Sequence, residues 1–244
     1  MPDNLQQQPH SVRRHHRYYD LIVAAFVTVL LCSNLIGAGK AAQVTLPVLG
    51  TVVFGAGILF FPISYMFGDI LTEVYGYAYD RRAVWCGFAA LMFATVMSAI
   101  VIGLPAAPGD YNTRLQEGLE FVFGNTWRIV MASMLAFWSG SLVNAYVLAK
   151  MKIFSGGKYL WMRTIGSTAI GELVDSSLFY VIAFYGIWPT EQIIRVGIAQ
   201  YILKTSWEVL ATPLTYAIVG FLKRREHQDH YDVNTNFNPF RVRV

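Results

Sequence analysis

The sequence predicts an all-α integral membrane protein of six transmembrane helices with both termini in the cytoplasm. Three observations carry that reading. Of 244 residues, 55% are hydrophobic and only 14% charged, against ~25% charged in soluble domains. The apolar residues fall in blocks long enough to cross a hydrocarbon layer ~30 Å thick. Lysines and arginines cluster in alternate gaps between the blocks, as the positive-inside rule requires.

Residues 1–18 are polar and place Arg13, Arg14, His15, His16 and Arg17 before the first apolar run. No short apolar stretch with a small-residue cleavage site precedes them, so no cleaved signal peptide is expected. The six spans are read at about 19–39, 50–75, 84–104, 125–149, 164–188 and 193–221, as one membrane domain over 19–222. A polar tail, 223–244, follows. The segments between spans are short and leave no room for a second domain. Arg81 and Arg82 follow span two, Lys150, Lys152, Lys158 and Arg163 follow span four, and Lys223, Arg224 and Arg225 follow span six. The other side has Lys40, Arg114, Arg128 and Arg195 in or near its loops. The pI near 9.0 is membrane-flanking charge, so no nucleic-acid partner is expected. Cys32 and Cys86 lie within spans as free thiols, with no disulfide or metal framework.

Four spans carry polar interruptions. Span two runs through Pro62, Ser64, Tyr65, Gly68, Asp69, Thr72 and Glu73. Pro62 and Gly68 disfavour a continuous helix. It is either a helix that ends near Gly68 or a broken helix lining a polar cavity. Span four carries Ser133, Trp138, Ser139, Gly140, Ser141 and Asn144. Small residues at that density favour close helix packing and leave self-association open. Asn144 is too polar to face lipid, and Trp138 either fills a core or stacks on a ligand. Span five carries Glu172 and Asp175, three apart on one helical face. Counted from Arg163, they lie ~14 and ~18 Å deep, at mid-membrane. Span six carries Gln200, Lys204, Trp207 and Glu208, with Lys204 at similar depth. Lys204 and Glu208 share a face, and an ion pair could fix how spans five and six pack.

Five acids, Asp69, Glu73, Glu172, Asp175 and Glu208, thus accompany one lysine. Buried singly, the six charges would cost roughly 15–20 kcal/mol, more than the ~5–15 kcal/mol that stabilises a fold. They are expected to converge on a shared polar cavity among spans two, five and six. Gly68–Glu73 and Gly171–Asp175 echo one another as glycine, acid, two aliphatics and a second acid. Spans two and five would then correspond in a three-plus-three inverted repeat. All five histidines, His10, His15, His16, His227 and His230, lie in the tails, which excludes an intramembrane Ser–His dyad or His-ligated zinc. No GxxxxGK[ST] loop is present. Paired acids leave an intramembrane aspartyl protease as a remote alternative. Transport is the expected class, with no enzyme activity and no cofactor.

The run from Phe61 to Tyr77 resembles the signature of the queuosine precursor transporter family, also called the YhhQ or vitamin uptake transporter family. Gly171–Ser176 is similar to its second motif and Lys204–Pro213 to its third. The resemblance covers roughly residues 18–222. It implies six transmembrane helices in a bacterial inner membrane and import of 7-deazaguanine precursors, 7-cyano-7-deazaguanine, 7-aminomethyl-7-deazaguanine or both. A carrier or binding subunit for another vitamin-like solute is the alternative. A guanine-like base offers two adjacent donors that one carboxylate accepts together. Glu172, Asp175 or Glu208 suits that role, and a cationic aminomethyl group would want a second carboxylate, which would help explain the surplus of acids that includes Asp69 and Glu73. Lys204 or Asn144 suits the base carbonyl, and Trp207, Tyr65 or Trp138 the ring face. Proton coupling, uniport and a separate ATPase partner all remain open.

Overall fold

The computed structural model describes residues 16–37, 41–46, 50–124 and 127–241. Seven α-helices follow one another: α1 (Tyr19–Cys32), α2 (Phe61–Tyr75), α3 (Tyr77–Gly103), α4 (Asp110–Phe123), α5 (Trp127–Phe154), α6 (Leu160–Phe184) and α7 (Thr190–Glu226). The end of α1 widens into a π-helical turn, Ser33–Gly37. Two strands, β1 (Ala41–Leu46) and β2 (Gly50–Gly55), pair antiparallel with Ala41 opposite Gly55 and Leu46 opposite Gly50.

Four helical stretches are long and apolar enough to cross a membrane: Tyr19–Ile36, Tyr77–Gly103, Arg128–Phe154 and Leu160–Phe184. The other two expected spans, two and six, are built differently. Residues 50–55 of expected span two are strand, and its helix α2 has 15 residues, or ~22 Å. The reason lies in Thr51, Val52 and Val53 between Gly50 and Gly55: β-branched residues favour a pleated strand and glycine weakens a helix. Hydropathy reads both conformations alike. α2 also departs from both readings of its Pro62–Gly68 region. Pro62 sits in the first turn, where its missing N–H costs nothing, and the helix runs unbroken past Gly68 to Tyr75. α7 has 37 residues, with Pro213 inside it; its Arg195, Lys204 and Glu208 dilute its apolar character.

The helix ends gather at two poles. At one, Glu226 at the end of α7 accepts the backbone N–H groups of Arg17 and Tyr18 (3.1 and 2.8 Å) and the Tyr75 hydroxyl (2.9 Å). At the other, the Ser133 hydroxyl of α5 donates to Asn34 after α1 at 3.0 Å, and Arg128 donates to the carbonyls of Ile182 and Tyr185 at the end of α6. The amphipathic α4, which the span count did not anticipate, joins this second pole through Gln116, which donates to Ile102 O at 2.8 Å. The buried core packs Phe26 and Leu30 of α1, Ile70, Leu71 and Val74 of α2, and Val84 of α3. Phe93, Ile100, Ile202 and Leu210 are exposed on the outer faces, as lipid contact requires.

The C-terminal segment is a folded strap. Residues 227–241 cross the first pole and bind it throughout. Asp229 meets Lys152 at 2.6 Å and Lys223 at 2.8 Å. Buried Asp232 accepts the Tyr77 backbone N–H at 3.1 Å. Arg81 donates to Asn236 O at 2.7 Å and Asn238 O at 2.9 Å, and Trp85 to Pro239 O at 2.8 Å. The strap passes two turns where only glycine fits. A Cβ on Gly76 (φ +94°) would lie 2.3 Å from the His230 ring, and one on Gly157 (φ +78°) 2.1 Å from the Tyr231 hydroxyl.

Candidate functional site

Two glycines set the spacing of the site. Gly140 on α5 and Gly171 on α6 bring the two backbones together. A Cβ at Gly171 would come within 2.9 Å of the Gly140 carbonyl oxygen, and one at Gly140 within 3.0 Å of the Gly171 carbonyl oxygen. Small residues allow such an approach between membrane helices. The small-residue face of span four is thus used within the chain. It holds Glu172 and Asp175 against α5 and turns their face toward α7.

Lys204 of α7 answers from across the gap. Its Nζ lies 2.6 Å from Asp175 Oδ2 and 2.8 Å from Glu172 Oε2. An ion pair between spans five and six, as expected, is formed: Lys204 reaches across to two carboxylates of α6. Glu172 is 1% and Asp175 5% exposed.

Asp175 and Lys204 floor a cavity of about 410 Å³ that extends toward the second pole; Glu172, paired with Lys204, does not line it. Asp175, Ser176, Gln200 and Lys204 supply its polar end. Phe179, Tyr180, Phe184 and Trp188 supply an aromatic wall. Phe184 and Trp188 stack with ring centroids 3.9 Å apart and planes 13° apart. Asn34 and Ser133 bring polar groups to the opposite side. Such a vessel, mostly apolar with a few convergent polar groups, suits a small flat solute.

The other expected site residues divide into three groups. Asp69 and Asn144 are bonded to each other at 2.8 Å, and both are buried with Glu208 and Tyr65. They lie beyond the cavity floor, and none lines the large cavity. Glu73 belongs to an ion cluster at the first pole. Its Oε1 lies 2.6 Å from Lys223, 2.8 Å from Arg163 and 3.4 Å from Lys152. The count of five acids against one lysine missed this: the long side chains of loop-end cations reach inward past their apolar stems. Trp138 packs between Trp85 and Phe240, 5.6 Å from each ring, and Trp207 is 37% exposed. Neither tryptophan lines the cavity.

Sequence reasoning overlooked the aromatic wall, although its signal was present. Asp175 and Phe179 are four apart, as are Ser176, Tyr180 and Phe184. The stripe that carries the motif acids simply continues for two more turns.

A bundle of long apolar helices around a polar-floored cavity defines a multi-pass membrane protein of the solute-carrier kind. The chain belongs to the family described as "Putative vitamin uptake transporter", whose match covers residues 55–218. It is 35% identical over 171 residues to a protein of Bacillus subtilis (strain 168) named "Probable queuosine precursor transporter", covering 69% of this chain and 70% of that one. It is 23% identical to a protein of the same name from Haemophilus influenzae, over 67% of each chain. A "Queuosine precursor transporter" of Escherichia coli (strain K12) is 20% identical, over 73% of this chain and 78% of that one. No solved structure matches the chain.

Proposed function

We propose that this protein imports a queuosine precursor, 7-cyano-7-deazaguanine or 7-aminomethyl-7-deazaguanine, across a bacterial inner membrane. The observation that carries the reading is the cavity whose floor pairs a carboxylate with an ammonium beneath an aromatic wall. Asp175 accepts the ring N–H and exocyclic amine of the base as a bidentate pair, each such charged bond contributing about 1.5–3 kcal/mol. Lys204 and Gln200 donate to the base carbonyl. Tyr180, Phe184 or Trp188 covers the ring face, for ~1–3 kcal/mol. Glu172 pairs with Lys204 and keeps it oriented. The cargo is moved without a chemical change.

The reading includes six crossings, with α2 and α7 completing the four apolar helices, and both termini in the cytoplasm. Two features support it. The chain's first described residues and the end of α7 meet at one pole, and Arg81, Lys152, Arg163 and Lys223 collect there too. The cavity then opens on the outer half. A three-plus-three inverted repeat remains part of the proposal, with α2 and α6 as its matching helices.

The test is uptake in a strain unable to make queuosine precursors and lacking its own transporter. This chain is expressed, 7-cyano-7-deazaguanine is supplied at nanomolar level, and queuosine in tRNA is assayed. Rescue by the native chain and none by a normally inserted Asp175→Asn variant is the expected result. Failure of the native chain to rescue, while present in the membrane, refutes the cargo.

A further inference from the structure

Asp69 and Glu208 form a second buried acidic site behind the cavity floor. Both are 0% exposed, on α2 and α7. Asn144 donates to Asp69 Oδ1 at 2.8 Å. Among the described residues no hydrogen-bond partner reaches Asp69 Oδ2 or either carboxylate oxygen of Glu208. α2 and α7, which carry the two acids, pack against each other. Two incompletely partnered acids therefore lie in the interior, on neighbouring helices.

The surroundings do not neutralise them. α3 presents buried Asp80, α2 itself carries Glu73 and Tyr65, α6 brings Glu172 and Asp175, and α1 packs the apolar Phe26 and Leu30. Lys204, one turn from Glu208, is engaged with Glu172 and Asp175. The three cations around Glu73 are held there and by the strap. A fold of marginal stability does not tolerate two uncompensated carboxylates in a water-poor interior. A carboxyl buried without a cation or enough donors is held protonated instead. Asn144, the donor to Asp69, also lines a small cavity of about 10 Å³ with Ser64, Tyr65, Asp80 and Ser141; neither Asp69 nor Glu208 lines it. That is room for about one water with several polar partners, on the side toward Asp80 rather than toward the cargo cavity.

We propose that Asp69 and Glu208 bind the proton whose inward movement drives cargo uptake. The site is separate from the cargo floor, and Lys204 links the two: it pairs with Glu172 and Asp175 and lies one helical turn from Glu208 on α7. An O–H bond forms on the pair as a proton arrives from the outer side. It breaks when the proton is released toward the inner side. No electron is transferred and no other ion is needed. This role rests on the transport reading above, so its test includes a readout that needs no cargo.

Purified full-length protein is examined by infrared difference spectroscopy between acidic and alkaline buffer. A carboxylic-acid C=O band that disappears in Glu208→Gln, and shifts or disappears in Asp69→Asn, is expected. In proteoliposomes, an inward proton gradient of one pH unit should concentrate radiolabelled 7-cyano-7-deazaguanine about tenfold for one proton per cargo. Glu208→Gln should abolish concentration while retaining exchange of labelled for unlabelled cargo at equal concentrations. Asp69→Asn, which preserves the shape and one acceptor, serves as the second variant. An unchanged infrared band in both variants overturns the proton site. So does concentration of cargo by Glu208→Gln, or by the native chain under a sodium gradient alone. If the native chain does not exchange the probe, the cargo reading fails, and the infrared band still decides the proton site.

Discussion

Gly140→Ala offers the sharpest test of the packing beneath the site. The new Cβ would lie 2.8 Å from Asp175 Cβ, 2.8 Å from the Tyr65 hydroxyl and 3.0 Å from the Gly171 carbonyl. Ordinary carbon contacts sit at about 3.5–4.0 Å, so α5 and α6 must part by about 1 Å. Two of the three obstructing atoms are on α6, one of them backbone, and a rotamer change relieves neither. Overpacking of this kind costs about 1–3 kcal/mol. For a chain of this size that lowers the melting midpoint by roughly 2–12 °C. Because Asp175 is one of the atoms displaced, uptake should fall along with stability. The assay is thermal unfolding in detergent beside transport in liposomes. Gly118→Ala on α4 is the control: nothing lies within 4 Å of its Cβ, and alanine is the better helix former. A Gly140→Ala protein as stable as this control would refute the claim that the two glycines set the helix separation.

Four further outcomes are expected. Lys204→Met leaves Glu172 and Asp175 facing each other without their cation, and loss of one partner from a buried pair costs about 3–5 kcal/mol; thermal unfolding should show it, with loss of uptake. Trp188→Ala removes one ring of the stacked pair in the cavity wall, which should weaken cargo binding about 5–150-fold by scintillation proximity, with membrane insertion unchanged. Arg81→Ala removes donors to two strap carbonyls, so amide hydrogen exchange over residues 232–240 should speed up on the order of 100-fold while the helices stay protected. The strap should also loosen in acid. Burial opposes the charge on Asp229, but Lys152 and Lys223 outweigh it and hold its carboxyl below the ordinary range. Burial likewise opposes the charge on Asp232, and His230, Thr235 and the Tyr77 N–H outweigh it. Depressed carboxyls stabilise the docked strap above the unfolded value of about 4. That stability is lost as pH falls through their lower folded values. Exchange or limited proteolysis of residues 227–241 from pH 6 to pH 3 reads this directly; a strap that docks more tightly at pH 3 would contradict the sign.

The sequence by itself determined the membrane class, the family, and the meeting of Glu172, Asp175 and Lys204. Those features are local or periodic. Apolar length gives the long helices, helical spacing puts two acids on one face, and equal depth puts a lysine opposite them. Gln200, on the stripe of Lys204, reached the cavity for the same reason. Tertiary structure decided what hydropathy and spacing leave degenerate. The Val- and Thr-rich stretch before Pro62 is as apolar as a helix but pairs as strand, because β1 is there to accept its hydrogen bonds. Glu73 and Asp69 follow one motif on one helix. Yet Glu73 lies in a cluster of three cations from α5, α6 and α7, and Asp69 lies beside Asn144. Which partner a buried acid meets depends on side chains roughly 75 to 150 residues away, and only the packing of α2 against α5 and α7 brings those within reach. The same holds for the strap: a polar tail of unremarkable composition becomes structure because Gly76 and Gly157 leave room for it, and because Arg81, Lys152 and Lys223 wait there with donors that its acids and carbonyls satisfy.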